Sequence, residues 1–172
     1  TVLVLIMLLS LAPMSALADD TFRSGDFTFV IETGVACVKK YNGSSSSVSV
    51  PSKVDYDGVT YKVRNIHQDA FKNCTTIQKL VLPETVNRIG KQAFANCTSL
   101  NSITINGDLN GVYTVDNTFY NIGANSGYLK VTFGPEVTAI PSNLFDSTYS
   151  KSEGYYPCLL YTSDAADDLI GV

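Results

Sequence analysis

Residues 66–105 read IHQDAFKNCTTIQKLVLPETVNRIGKQAFANCTSLNSITI, and one unit is written there nearly twice. Ile66 recurs as Ile89, Ala70-Phe71 as Ala93-Phe94, and Asn73-Cys74 as Asn96-Cys97. Ile77 recurs as Leu100, Leu80 as Ile103 and Leu82 as Ile105, each 23 positions on. That period lies in the range of solenoid arrays. A unit this short cannot enclose a core alone. It must bury its apolar side against a copy of itself, so the sequence predicts a stack of coils.

The pattern inside the unit agrees. Leu80 and Leu82 are two apart, as are Ile103 and Ile105, so each pair points to one face of a short strand. Pro83 ends the first strand, because proline has no amide to donate to a ladder. Val86 and Ile89 begin a second extended piece, and Gly90 marks a turn. Lys91 to Asn96 is too short for a free helix but suits one helical or 3₁₀ turn, with Phe94 as its apolar anchor.

The pattern I-G-x-x-A-F-x-N-C-x-x-L-x-x-I-x-L-P in this stretch resembles the BspA-like (Treponema pallidum-type) leucine-rich repeats of bacterial and protozoal surface proteins. The resemblance covers roughly Val48 to Phe145 and loosens at both ends. It implies a β-rich right-handed solenoid with short helical turns, surface exposure, adhesion to host or bacterial partners, and no catalytic residues.

Upstream, Val48-Ser49-Val50-Pro51-Ser52-Lys53-Val54 matches Leu80 to Val86 position for position. Asp55 to Tyr61 reads as an inserted hairpin tip with Asp57-Gly58 as the turn. Before it, Phe27 to Ile31 and Val35 to Val38 are β-rich and joined by Glu32-Thr33-Gly34. Residues 19–47 are therefore expected to form an N-terminal β-hairpin cap over the apolar end of the stack, after a polar lead-in from Asp19 to Gly25.

Downstream, Asn106 to Gly111 is a turn-rich insertion, and Val115, Phe119 and Ile122 take the roles of Ile89, Phe94 and Cys97. Lys130 to Ile140 restates the strand, a proline one place late, and the Val and Ile that follow. Leu144-Phe145 restates Ala93-Phe94. The anchors Phe71, Phe94, Phe119 and Phe145 thus mark a solenoid spanning 48–157.

Both ends read differently. Residues 1–18 carry an apolar run with no charge before Asp19 and close on Ala16-Leu17-Ala18, the h-region and cleavage site of a secretory signal whose basic start is missing. A membrane helix is the rival reading, at the short limit of length. Residues 158–172, CLLYTSDAADDLIGV, resemble a translated sequencing-library adaptor and are expected to be read-through.

The formal net charge is -4, from 12 basic and 16 acidic residues. Setting aside Asp164, Asp167 and Asp168 leaves 12 basic and 13 acidic residues, a net of -1. No basic patch suggests nucleic acid. Cys74 and Cys97 occupy a repeat position that also accepts Ile122, so buried free thiols are expected there, with a disulfide between coils as the alternative. His67 is the single histidine and should face outward beside the core residue Ile66; no triad or Cys-His site is suggested. Zinc spacing and calcium loops are absent, so no metal or cofactor is expected. Asn42-Gly43-Ser44, Asn73-Cys74-Thr75 and Asn96-Cys97-Thr98 fit the glycosylation sequon, although asparagine in the repeats more simply shapes a turn.

The candidate site is the outward set of strand residues, namely Lys79 and Val81, Ser102 and Thr104, and Lys130 and Thr132. Stacking should align them as rows on one sheet face. The reading is a non-enzymatic, secreted or cell-surface protein that binds a protein or glycan, with no transmembrane segment in the mature chain. The alternative is a docking or spacer domain of a larger exported hydrolase or wall-anchored protein.

Overall fold

The computed structural model describes residues 20–109, 118–140 and 144, together with the backbone of 158–163. The signal-like run 1–18 and the expected repeat residues Val115 and Phe145 lie outside the described residues. Within them the chain forms β1 (Thr21–Ser24), β2 (Phe27–Glu32), β3 (Val35–Tyr41), β4 (Ser47–Ser49), β5 (Lys53–Tyr56) and β6 (Val59–Ile66). It continues with β7 (Lys79–Leu82), β8 (Arg88–Ile89), β9 (Ser102–Ile105), β10 (Tyr128–Phe133) and β11 (Cys158–Ser163).

One sheet is wholly parallel, in the order β11-β10-β9-β7-β4. Its register is the one the repeat demands: Val48 lies opposite Leu80, Leu80 opposite Ile103, and Ile103 opposite Val131. Leu82, Ile105 and Phe133 form the next apolar row inward. Strands that alternate buried and outward residues can stack only in this register, because a one-residue slip would turn every Leu and Ile to solvent. Cys158–Ser163, which the sequence marks as adaptor-like, aligns with Tyr128–Phe133 as the last parallel strand.

The other sheet runs β1-β2-β3-β6-β5, with β8 also on β6. β2 and β3 form the expected hairpin through Thr33 and Gly34, both at positive φ (48° and 80°). That is the primed turn whose twist suits a two-residue hairpin loop. β5 and β6 do the same through Asp57 and Gly58. The lead-in before β2 is itself a strand: Phe22 stacks on Phe29 and on Tyr56 (ring centroids 5.7 and 4.1 Å), and Gly25 at φ 57° turns β1 back onto β2. β6 then lies parallel to both β3 and β8, with Ile66 beside Ile89.

No helix forms among the described residues. Where helical turns were expected, the chain makes successive turns closed by bonds such as Ala95 N to Gln92 O (3.1 Å) and Cys97 N to Phe94 O (3.2 Å). Positive φ at Asp69, Asn73, Gln92, Asn96 and Asn121 interrupts any helical run. Alternate amides donate across to the next coil instead: Phe71 N to Ala93 O (2.8 Å), Asn73 N to Ala95 O (2.9 Å), Phe94 N to Thr118 O (3.0 Å) and Asn96 N to Tyr120 O (2.9 Å). A backbone amide committed to a neighbouring coil is lost to an i−4 carbonyl, so the third side of each coil is a laddered turn.

The core follows from these three sides. Phe71, Phe94 and Phe119 are fully buried and stack with ring centroids 5.3 Å apart at each step. Tyr41 continues the row into β3, 5.5 Å from Phe71. Gly90 sits at ordinary negative φ; a Cβ there would lie 2.5 Å from Gln68 N and 2.8 Å from His67 C, so glycine permits the close approach of two coils. Val137 is half-buried against the core, but Ile140, read as a core position, is 50% exposed.

Candidate partner-binding face

The side chains between the buried strand residues fall in straight rows. Ser47, Lys79, Ser102 and Lys130 are successive register partners, and so are Ser49, Val81, Thr104 and Thr132. The parallel strands set this by translation alone, since each coil repeats the pleat of the one before. Lys79 and Lys130 are exposed, whereas Val81, Ser102, Thr104 and Thr132 are half-buried by their neighbours in the row. All six sequence-selected residues therefore share one sheet face. The rows extend to Ser47 and Ser49, which the match of Val48-Ser49-Val50-Pro51 to the repeat already implied.

A polar notch of about 230 Å³ opens beside these rows, lined by Gln78, Ser99, Asn101, Asn125 and Ser126. Gln78 and Asn101 immediately precede Lys79 and Ser102, and their equivalence 23 residues apart was legible in the sequence. Asn125 arrives from the wide turn after Ile122, and its side-chain amide donates to Thr98 Oγ1 (3.2 Å) and Ser99 Oγ (3.3 Å). The notch presents amides and hydroxyls without a formal charge.

The reactive residue types lie elsewhere. His67 is half-buried, and its Nδ1 sits 3.2 Å from the Gln68 carbonyl oxygen. Cys37, Cys74 and Cys97 are free thiols. Burial above all pushes Cys37 and Cys97 up to about 12, and it raises Cys74 as well. Cys97 Sγ is 3.1 Å from the Phe71 carbonyl oxygen, so its thiol is satisfied by the coil below. Such thiols behave as small core hydrophobes. Among the described residues no group of three or more His, Cys, Asp or Glu is placed to hold a metal ion, and no helix is long and apolar enough to cross a membrane.

Residues 42–161 match the family profile described as BspA type leucine rich repeat region, in six copies. A comparison with curated proteins finds no match. Among solved structures, a leucine rich cell surface protein from Faecalibacterium prausnitzii A2-165 is 22% identical over 83% of this chain and 42% of its own, with a TM-score of 0.55. A leucine-rich repeat protein from Bacteroides capillosus is 22% identical over 83% of this chain and 98% of its own, with a TM-score of 0.56. One from Bacteroides ovatus is 28% identical over 66% of this chain and 31% of its own, with a TM-score of 0.53. The chain thus spans less than half the length of the first and third of these proteins.

Proposed function

The chain belongs to the BspA-type leucine-rich repeat family, and we propose that it acts as an exported, non-enzymatic binding module that attaches to a protein or glycan through its parallel-sheet face. The observation that carries this reading is the pair of in-register rows from Ser47 to Lys130 and from Ser49 to Thr132. Five hydroxyls and two exposed lysines, with Val81 the single apolar side chain among them, offer hydrogen bonds with little apolar area. Repeat proteins commonly use such an extended, evenly spaced surface for partners. The signal-like sequence at 1–18 and the description of the Faecalibacterium protein as a cell surface protein support export and surface display.

The test is a triple change of Lys79, Ser102 and Lys130 to Glu. All three alter outward side chains in one row; the two Glu–Glu register pairs this creates should cost about 0.2–1 kcal/mol each, which leaves the fold in place. Binding of the labelled chain to arrayed glycans and arrayed extracellular proteins should fall, because the charge of the row is reversed. Unchanged binding by a variant that still melts cooperatively would remove this face from consideration. Lys72→Gln, on the laddered turn, is the control.

A second reading has one observation behind it. The chain spans 42% and 31% of two solved relatives, so the repeats are also suited to serve as a docking or spacer segment of a longer exported protein. Recovery of the complete reading frame separates the two: a catalytic domain downstream supports docking, and further repeats with an anchor support adhesion.

A further inference from the structure

A groove of about 470 Å³ lies at the corner where the parallel sheet meets the inserted β5–β6 hairpin. One wall carries Lys53 from β5 with Lys62 and Arg64 from β6; the other carries Glu84 and Asn87, just beyond β7, and Asp108, just beyond β9. The groove therefore crosses three successive coils.

The fold does not by itself account for this grouping of three cations. Lys53 and Lys62 are direct cross-strand partners, an arrangement of like charges that destabilises a strand pair. A lysine on an edge strand such as β5 has a ready explanation in blocking edge-to-edge association. The same explanation covers Lys62, in the part of β6 that pairs with β5 alone; it does not cover Arg64, which lies where β6 runs along β3. Arg64 is the extra residue of a bulge: Val63 pairs with Ala36 and Asn65 with Cys37, leaving Arg64 between them. Bulges re-aim a side chain, here to the side that Lys62 faces. Among the described residues none of these three side chains forms an ion pair or hydrogen bond.

The opposite wall is held in place. Asn87 N donates to Arg64 O (3.0 Å), Thr85 Oγ1 to Ser52 O (3.3 Å), and Thr138 Oγ1 to Asp108 Oδ2 (2.8 Å). Glu84 remains exposed. Three cations facing two carboxylates and an amide leave a net charge of +1 along the groove, too little for a nucleic acid. An acidic peptide would satisfy the cations but set its carboxylates against Glu84 and Asp108. A sugar that carries both a carboxylate and hydroxyls matches both walls, since its hydroxyls donate to carboxylates while its own carboxylate takes the charge-assisted bonds.

We propose that this groove binds an acidic saccharide carrying ring carboxylates, at a site separate from the parallel-sheet face. Arg64, half-buried where the cationic wall meets Asn87, takes the carboxylate, with Lys62 and its register partner Lys53 further along the groove. Glu84 and Asn87 select for hydroxyls.

The test titrates the purified full chain by calorimetry with trigalacturonate, its methyl ester and hexa-aspartate. Trigalacturonate should bind, with the other two weaker by about tenfold or more. The double change Lys62→Gln, Arg64→Gln should weaken trigalacturonate by about tenfold while the melting temperature holds. Glu84→Gln should also weaken it, which simple charge attraction would not do. The triple Glu variant of the sheet face should leave it unchanged, so failure of either site is seen independently. The proposal falls if no probe binds, if hexa-aspartate binds as tightly as trigalacturonate, or if Glu84→Gln tightens binding.

Discussion

The side-chain amide of Asn96 donates to Asn73 Oδ1 at 3.0 Å, joining two residues 23 positions apart in equivalent places of adjacent coils. Asn121 repeats the contact one coil on, donating to Asn96 Oδ1 at 3.1 Å. The three asparagines share positive φ (63°, 60° and 53°), a conformation that asparagine tolerates better than most residues. One residue type thus meets two needs at each coil: it turns the backbone and ties that turn to its neighbour.

Asn96→Ala should lose both the ladder and the backbone tolerance. Two side-chain hydrogen bonds at about 1 kcal/mol each and about 1–2 kcal/mol for a non-glycine left-handed residue give a loss of roughly 3–4 kcal/mol. Asn96→Gly restores the backbone but not the ladder, and should recover about 1 kcal/mol or more of that. Urea melts of the two variants check the order; equal losses would mean that φ at this position carries no strain.

Phe94→Ala opens a cavity between Phe71 and Phe119, both 5.3 Å away by ring centroid. It should cost about 3–5 kcal/mol. Tyr41→Phe keeps the ring against Phe71 and removes only the hydroxyl that accepts from Ser45 N at 3.3 Å, so its cost should stay near 1 kcal/mol. Chemical denaturation of both variants gives the comparison.

Gly90→Ala places a methyl group against the backbone of Gln68 and His67 in the preceding coil. Backbone cannot yield as a side-chain tip can, so the two coils must part. The expected loss is about 1–3 kcal/mol, the cost of overpacking. Hydrogen exchange should speed up at the amide of position 90, which donates to Ile66 O at 2.8 Å in the unaltered chain.

Alkaline pH should weaken the fold through its thiols. Cys37 and Cys97 hold their protons up to about 12 when folded, against an ordinary value of 9.0. A raised folded pKa means the unfolded chain sheds these protons first as pH rises. The stabilisation is complete below about 9 and declines from there to about 12. A Cys37→Ala, Cys97→Ala variant starts less stable but should show a shallower decline over that window. Melting temperatures measured from pH 7 to pH 11 decide the matter; parallel curves would sink the idea.

The repeat period, the inward residues and the rows at Lys79, Ser102 and Lys130 were all legible in the sequence, because strand alternation is a local property and a stack merely repeats it. Both hairpin turns were legible for the same reason, through Thr33-Gly34 and Asp57-Gly58. Three-dimensional packing decided the rest. Lys91 to Asn96 became a laddered turn because its amides found partners one coil away, which no window of sequence displays. Phe22 drew the polar lead-in into a strand by stacking on Tyr56, 34 positions later. Arg64, Glu84 and Asp108 line one groove only because three coils pass the same corner. Periodicity fixes which way a side chain points within its own coil, whereas its neighbours across coils depend on how insertions such as the β5–β6 hairpin settle against the stack.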